Sequence, residues 1–328
     1  MLDDEIKKML EKMYSNNSIN KNNILRHHHD TRLPTKEQQQ QIPLHSKSVA
    51  TINIDKLKGW MRTEQKQRFE ELMNILSNPP ASAAEKTATT STARKSVLTQ
   101  QQVEQLVQHD IIGCVSKQQQ QQRPTKAFGF AFTVLEERDA RLRQRMIFWP
   151  RAINDALATT YKAQMRLQHV ARYTQAAAEE TAALGDLAVA FYQIAIPPQA
   201  RCFYRFVDSN NNVYEMKRMP MGLCVSAEIM QLVTETIACC VHAVIPNLAS
   251  RNTTNDVWID GFRIAGNNSN VMTTIHNVNK IARDIGASFK APLTTTTKKY
   301  DFIGVEWDHE QHTVTLASKT KSKLPATF

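Results

Sequence analysis

The chain has 328 residues, 41 Lys+Arg against 31 Asp+Glu and a formal net charge of +10, so its surface favours a polyanionic partner such as nucleic acid. Its nine glycines fall well below the usual ~7%, which excludes collagen-like sequence and argues against glycine-rich phosphate cradles. Five cysteines, an odd number without a Cys-x-x-Cys pair, argue against a disulfide framework or zinc ribbon and point to an intracellular setting, nucleus or cytoplasm.

In chain order, residues 1–125 read as a polar, low-complexity leader with short helices, partly disordered. Its acidic start, Met1-Leu-Asp-Asp-Glu, fits neither a secretory signal nor a transit peptide. Leu2, Ile6, Met9, Leu10 and Met13 recur at helical spacing, as do Phe69, Leu72, Met73 and Leu76. A third helix is expected over Thr99–His109, with Val103, Leu106 and Val107 on one face. Residues 77–95, rich in Pro, Ala, Thr and Ser, read as a linker, and His27-His28-His29-Asp30 as solvated low complexity rather than a metal site.

Residues 126–171 follow as a distinct segment, with strands at Phe128–Leu135 and Met146–Trp149 around a charged turn, Glu136–Arg143. The next segment, 172–318, begins with an Ala-rich helix over Arg172–Ala183 that stops at Gly185. Strands Cys202–Val207 and Val213–Lys217 flank Asp208-Ser-Asn-Asn-Asn212, a strong hairpin turn. A long helix over Ser226–Val244 carries Cys239-Cys240 as core packing. Short strands in Val257–Ile264 turn near Gly261; a helix over Met272–Ile285 and strands at Tyr300–Trp307 and Thr313–Leu316 complete an α+β pattern. The tail, 319–328, carries Lys319, Lys321 and Lys323, which read equally as nucleic-acid contacts or as an exposed tail. The most apolar run, Ile237–Ile245, is too short to span a membrane.

Two carboxylates stand out because an apolar segment tolerates Asp only when it is paired, bonded or ligating. They are Asp186 in Gly-Asp-Leu-Ala-Val-Ala-Phe and Asp260 in Val-Trp-Ile-Asp-Gly. Brought together they form a hard oxygen site suited to Mg²⁺. Taken singly, Asp186 also reads as a helix cap and Asp260 as a turn residue.

The order of these segments resembles the fingers and palm of reverse transcriptases of retrotransposons, over about Phe128–Leu316. Asp186-Leu-Ala-Val-Ala-Phe191 is similar to the first palm motif, and Met219-Pro-Met-Gly222 through Gln231 to the second. Trp258-Ile-Asp260-Gly261 matches the third, Ile285–Lys290 the fourth, and Phe302-Ile-Gly304 the primer-gripping strand. Upstream, Arg145, Arg151 and Asn154 match the fingers pattern. The wording Phe-Trp-Pro-Arg, Met-Pro-Met-Gly-Leu and Trp-Ile-Asp-Gly is closest to the tyrosine-recombinase (DIRS-like) elements.

The resemblance implies an α+β fold with a mixed, mainly antiparallel sheet, and an RNA-directed DNA polymerase using Mg²⁺ (or Mn²⁺), dNTPs, an RNA template and a DNA primer. It gives Asp186 and Asp260 the metals, Arg138 and Arg145 the triphosphate, Phe191 the choice of deoxyribose, Gly222 and Gln231 the nascent base pair, and Lys290 a proton for pyrophosphate. Two departures stand against it. Gly261 replaces the third motif's second aspartate and Trp149 a fingers aspartate. Asp256 is no substitute, since four residues along a strand span about 13 Å. An inactive nucleic-acid-binding or assembly protein on the same fold is therefore the alternative. The short stretch after Asp308 leads us to expect a truncated thumb at 319–328, with thumb and ribonuclease H regions supplied by a longer polyprotein.

Overall fold

A computed structural model describes residues 42–83, 94–138, 141–165, 167, 170–239 and 253–321. The helix expected over residues 2–13, the His27–His29 triplet, Cys240 and Lys323 lie outside the described residues, as does the Lys319 side chain.

The described chain opens with α1 (Ile54–Trp60) and α2 (Thr63–Ser77), then α3 (Gln100–Gln108), β1 (Ile112–Cys114) and α4 (Lys117–Gln122). A long hairpin, β2 (Phe130–Arg138) and β3 (Arg141–Trp149), leads into α5 (Arg151–Leu157) and a 3-10 helix over Val170–Ala178. Next come β4 (Thr181–Asp186), 3-10 turns at Ala190–Gln193 and Pro198–Phe203, and the hairpin β5 (Arg205–Val207) and β6 (Val213–Met216). The last part runs α6 (Ser226–Cys239), β7 (Thr253–Trp258), β8 (Gly261–Gly266), α7 (Asn268–Ile285), β9 (Lys299–Phe302), β10 (Val305–Asp308) and β11 (Thr313–Leu316).

The strands form four small sheets, ordered β1-β6-β5, β2-β3, β4-β8-β7 and β9-β10-β11. Every ladder is antiparallel, and parallel pairing is confined to isolated bridges such as Leu44 with Gln144. The class is α+β, as expected, and among the described residues the strand ladders are antiparallel throughout.

The β4-β8-β7 sheet is central: α6 lies on β7 and β8, and α7 on β4 and β8. Helix α7 fits that position because Val271, Ile275, Val278, Ile281, Ala282 and Ile285 recur at helical spacing and are all buried. Asn267 caps its start by accepting the Asn270 N–H. A second, smaller core beneath β9-β10 joins Val170 and Tyr173 to Tyr300, Phe302 and Trp307.

Several local expectations change. The charged turn Glu136–Arg143 is mostly strand, because Glu136 stands opposite Arg143 and pairs with it across the ladder. The Ala-rich helix is instead a 3-10 helix followed by β4, with Ala182 and Ala183 fully buried. Gly185 lies within β4 rather than after a helix, and a Cβ there would run into the Phe262 ring. Tertiary packing thus overrides alanine's helix propensity. The strand expected over Cys202–Val207 begins only at Arg205, because Cys202 and Phe203 end the 3-10 helix Pro198–Phe203. Val107 turns to solvent while Val103 and Leu106 are buried.

The described residues before 126 contribute to the main core. Leu44, Ile52, Leu57, Phe69, Leu72, Leu76 and Leu106 belong to the same core as Phe262 and Ile275. Of the linker expected at 77–95, residues 84–93 lie outside the described residues.

Candidate active site

Asp186 ends β4 directly opposite Gly261, the first residue of β8. Asp260 sits in the two-residue turn between Trp258 and Gly261, after Ile259 at φ 56°. Positive φ is costly for a β-branched residue. The turn is held from below by Gln231, whose Oε1 accepts the Ile259 N–H at 2.6 Å and whose Nε2 donates to the Val257 carbonyl at 3.4 Å. The main chains around both aspartates are tied as well. Leu187 N–H donates to the Asp260 carbonyl at 3.0 Å, and Lys290 N–H to the Asp186 carbonyl at 2.8 Å. Asp186, Asp260 and Lys290 line one pocket.

Phe191 enters that pocket from the 3-10 turn Ala190–Gln193, which follows Val189 at φ 41°. Gln193, fully buried, staples the turn: its Nε2 donates to the Ala188 and Ser288 carbonyls at 2.8 and 2.9 Å, and its Oε1 accepts the Ser288 N–H at 2.8 Å. This joins the Asp186 loop to the Lys290 segment. The opposite wall comes from β3. Arg145 Nη2 donates to Glu136 Oε1 at 3.0 Å, and Arg143 Nε to Glu136 Oε2 at 2.9 Å. Both arginines line the pocket, with His45 and Lys47 beside them. Arg138 pairs with Arg141 at the hairpin end, and its side chain lies outside the described residues.

Gly222 and Gln231 do not line this pocket. Gly222 was expected to open the backbone to a base pair; its φ is 115°, and a Cβ would collide with the Phe148 carbonyl. Its role here is to let its loop seat on β3, where Phe148 N–H donates to Met221 O at 3.2 Å. Asn154 clamps the same loop, donating to the Gly222 carbonyl at 2.7 Å and accepting the Cys224 N–H at 3.0 Å. Gln231 is buried beneath the β7-β8 turn and does not line the pocket.

A second pocket opens on the other side of Asp186 and Asp260, lined also by Gly261, Asp301, Phe302 and Ile303. Phe302 and Ile303 belong to the tight β9-β10 turn, with Ile303 at φ 51° and Gly304 at φ 80°. Asp256 points elsewhere: Arg263 Nε donates to it at 3.0 Å, and burial raises its carboxyl above the ordinary range despite that cation. Arg263 is itself stacked on Trp307, 4.0 Å from the ring centre. Among the described residues no group of three His, Cys, Asp or Glu side chains is placed to hold a metal ion.

The sequence reading missed His45, Lys47, Arg143 and Gln193. Arg143 had a signal, since it alternates with Arg145 on one strand face; Gln193 had none, because its partners lie far along the chain.

No protein-family model and no curated protein matches the chain. Solved structures do. The foamy viral protease-reverse transcriptase in complex with dsDNA aligns at TM-score 0.52 and 15% identity, over 86% of this chain and 59% of that one. The dRH form of that protein with double-stranded DNA aligns at TM-score 0.50 and 14% identity, over 88% and 51%. This chain therefore spans about half the length of the solved chains it resembles. At such identity the likeness is one of fold, and the fold is that of a reverse-transcriptase-like polymerase.

Proposed function

We propose that the chain is the fingers and palm of a retroelement reverse transcriptase, of the tyrosine-recombinase type by its motif wording, transferring dNTPs to a primer 3′-hydroxyl on an RNA template. The observation that carries this is the convergence of Asp186, Phe191, Asp260, Lys290 and Arg145 on one pocket from four separate segments. The donor set suits Mg²⁺ or Mn²⁺: two hard carboxylates, with the remaining positions left to nucleotide oxygens. When bound, the cation supplies Lewis-acid charge beside the reacting phosphate and hydroxyl. Asp186 and Asp260 would hold it, and Arg145 grips the triphosphate bidentately once released from Glu136. Phe191 closes the space beneath the sugar against a 2′-hydroxyl, and Lys290 carries a proton for the departing pyrophosphate.

Primer extension on an RNA template with Mg²⁺ or Mn²⁺ tests this reading. We expect extension that Asp186→Ala abolishes without loss of fold; no extension, or extension indifferent to that change, would sink it.

Gly261 favours a second reading, an inactive nucleic-acid-binding protein on the same fold. The position is open: the nearest atoms to a Cβ there are the Gly185 and Trp258 carbonyl oxygens at 3.8 Å. Since Gly261 pairs directly with Asp186, a side chain there would share its face, with Cβ atoms about 5 Å apart. Gly261→Asp should therefore fold normally and raise extension. Under the second reading it adds no activity, and salt-dependent RNA binding survives loss of both aspartates.

A further inference from the structure

Residues 43–46 lie along the free edge of β3. His45 N–H donates to the Gln144 carbonyl at 2.6 Å, and Gln144 N–H to the Pro43 carbonyl at 2.9 Å, a parallel bridge centred on Leu44 and Gln144. Helix α3 closes over the same stretch. Gln105 Nε2 donates to the Leu44 carbonyl at 3.3 Å, and Ser46 Oγ lies 2.9 Å from His109 Nδ1. Bridged residues project to one face, so Leu44 and Gln144 point inward together, and both are buried. Past the bridge the chain turns, with Ser46 N–H donating back to the Leu44 carbonyl at 2.9 Å. His45 Nε2 lies 3.2 Å from Arg143 Nη1, and His45, Lys47, Arg143 and Arg145 all line the pocket of Asp186 and Asp260.

We propose that residues 43–45 form a short third strand of the β2-β3 hairpin and that His45 and, just past the turn, Lys47 bind the polyphosphate of the incoming nucleoside triphosphate. The inference rests on the reading of this pocket as a nucleotide site. The chemistry is specific to a polyanion. Arg143 and Arg145 share one carboxylate, Glu136, so the wall carries excess positive charge facing two aspartates that a cation would neutralise. Lys47 adds an exposed, flexible point charge, suited to a phosphate whose position shifts during reaction.

The test is equilibrium binding of 2′-deoxyadenosine triphosphate with Mg²⁺ to the full chain, by calorimetry. Lys47→Gln and the pair His45→Ala/Lys47→Gln should weaken binding about three- to tenfold, Lys47→Arg should restore it, and the distant control Lys117→Gln should change nothing. Should Lys47→Gln bind as wild type while Arg145→Ala is weakened, the inference fails and the nucleotide site stands. Loss confined to a single-stranded RNA oligonucleotide also overturns it, by assigning the strand to template. No triphosphate binding by the wild type overturns both the inference and the site.

Discussion

Gly222 meets the Phe148 carbonyl so closely that no side chain fits between them, and its φ of 115° admits glycine almost alone. Gly222→Ala should therefore cost about 2–4 kcal/mol, read as a lower urea midpoint with unchanged slope. A loss below about 0.5 kcal/mol would show that the loop moves off β3 freely. At this scale the aspartates were legible in sequence because each interrupts an apolar run, which water-free packing forbids without a reason. Gln193 was not, and Gln231 stood out only through the resemblance, not for the turn that it holds. Each is one amide among many, and its value comes from partners 95 and 28 positions away.

The β7-β8 hairpin carries Asp260 on a turn whose first residue is strained, and α6 supplies the amide that holds it. Gln231→Leu leaves the Ile259 N–H without its acceptor, which should cost about 1–3 kcal/mol. Primer extension should fall further than stability does, because the turn is what aims Asp260. Unchanged extension with a lowered thermal midpoint would separate the turn from the chemistry. Elements were legible where one local signal dominated. The Asp208–Asn212 turn formed as expected, with Asp208 Oδ1 accepting the Asn210 and Asn212 N–H groups at 2.8 Å. The segment Arg172–Ala183 misled because alanine's helix preference is worth only tenths of a kcal/mol, roughly, against a buried sheet position.

Across the molecule, Glu228 on α6 ties distant parts of the chain together. Arg68 Nε from α2 donates to it at 2.8 Å, and the Tyr161 hydroxyl at 2.7 Å. Burial pushes the Glu228 carboxyl up, but the hydrogen bonds from Arg68 and Tyr161 outweigh it and hold the group below its ordinary 4.5. Its folded value lies below its unfolded one, so the stabilisation is present above about pH 4.5 and is lost as pH falls through the lowered value. Glu228→Gln should cost about 1–3 kcal/mol at pH 7, and the gap between the two thermal midpoints should narrow in acid. A gap independent of pH would mean that the charge is not what matters. The polar composition of residues 42–125 hid this union, since its few large apolar residues are spread thinly and find their partners only in three dimensions. Lys56 meets Asp284 and Arg68 meets Glu228 across 228 and 160 positions. At about 5–20 residues per second of synthesis, α1 waits roughly ten to forty-five seconds for its far partner. Phe69, Leu72 and Leu76 stay uncovered on the nascent chain at least until residues 198–239 are made, which makes this stretch a target for a chaperone at the ribosome.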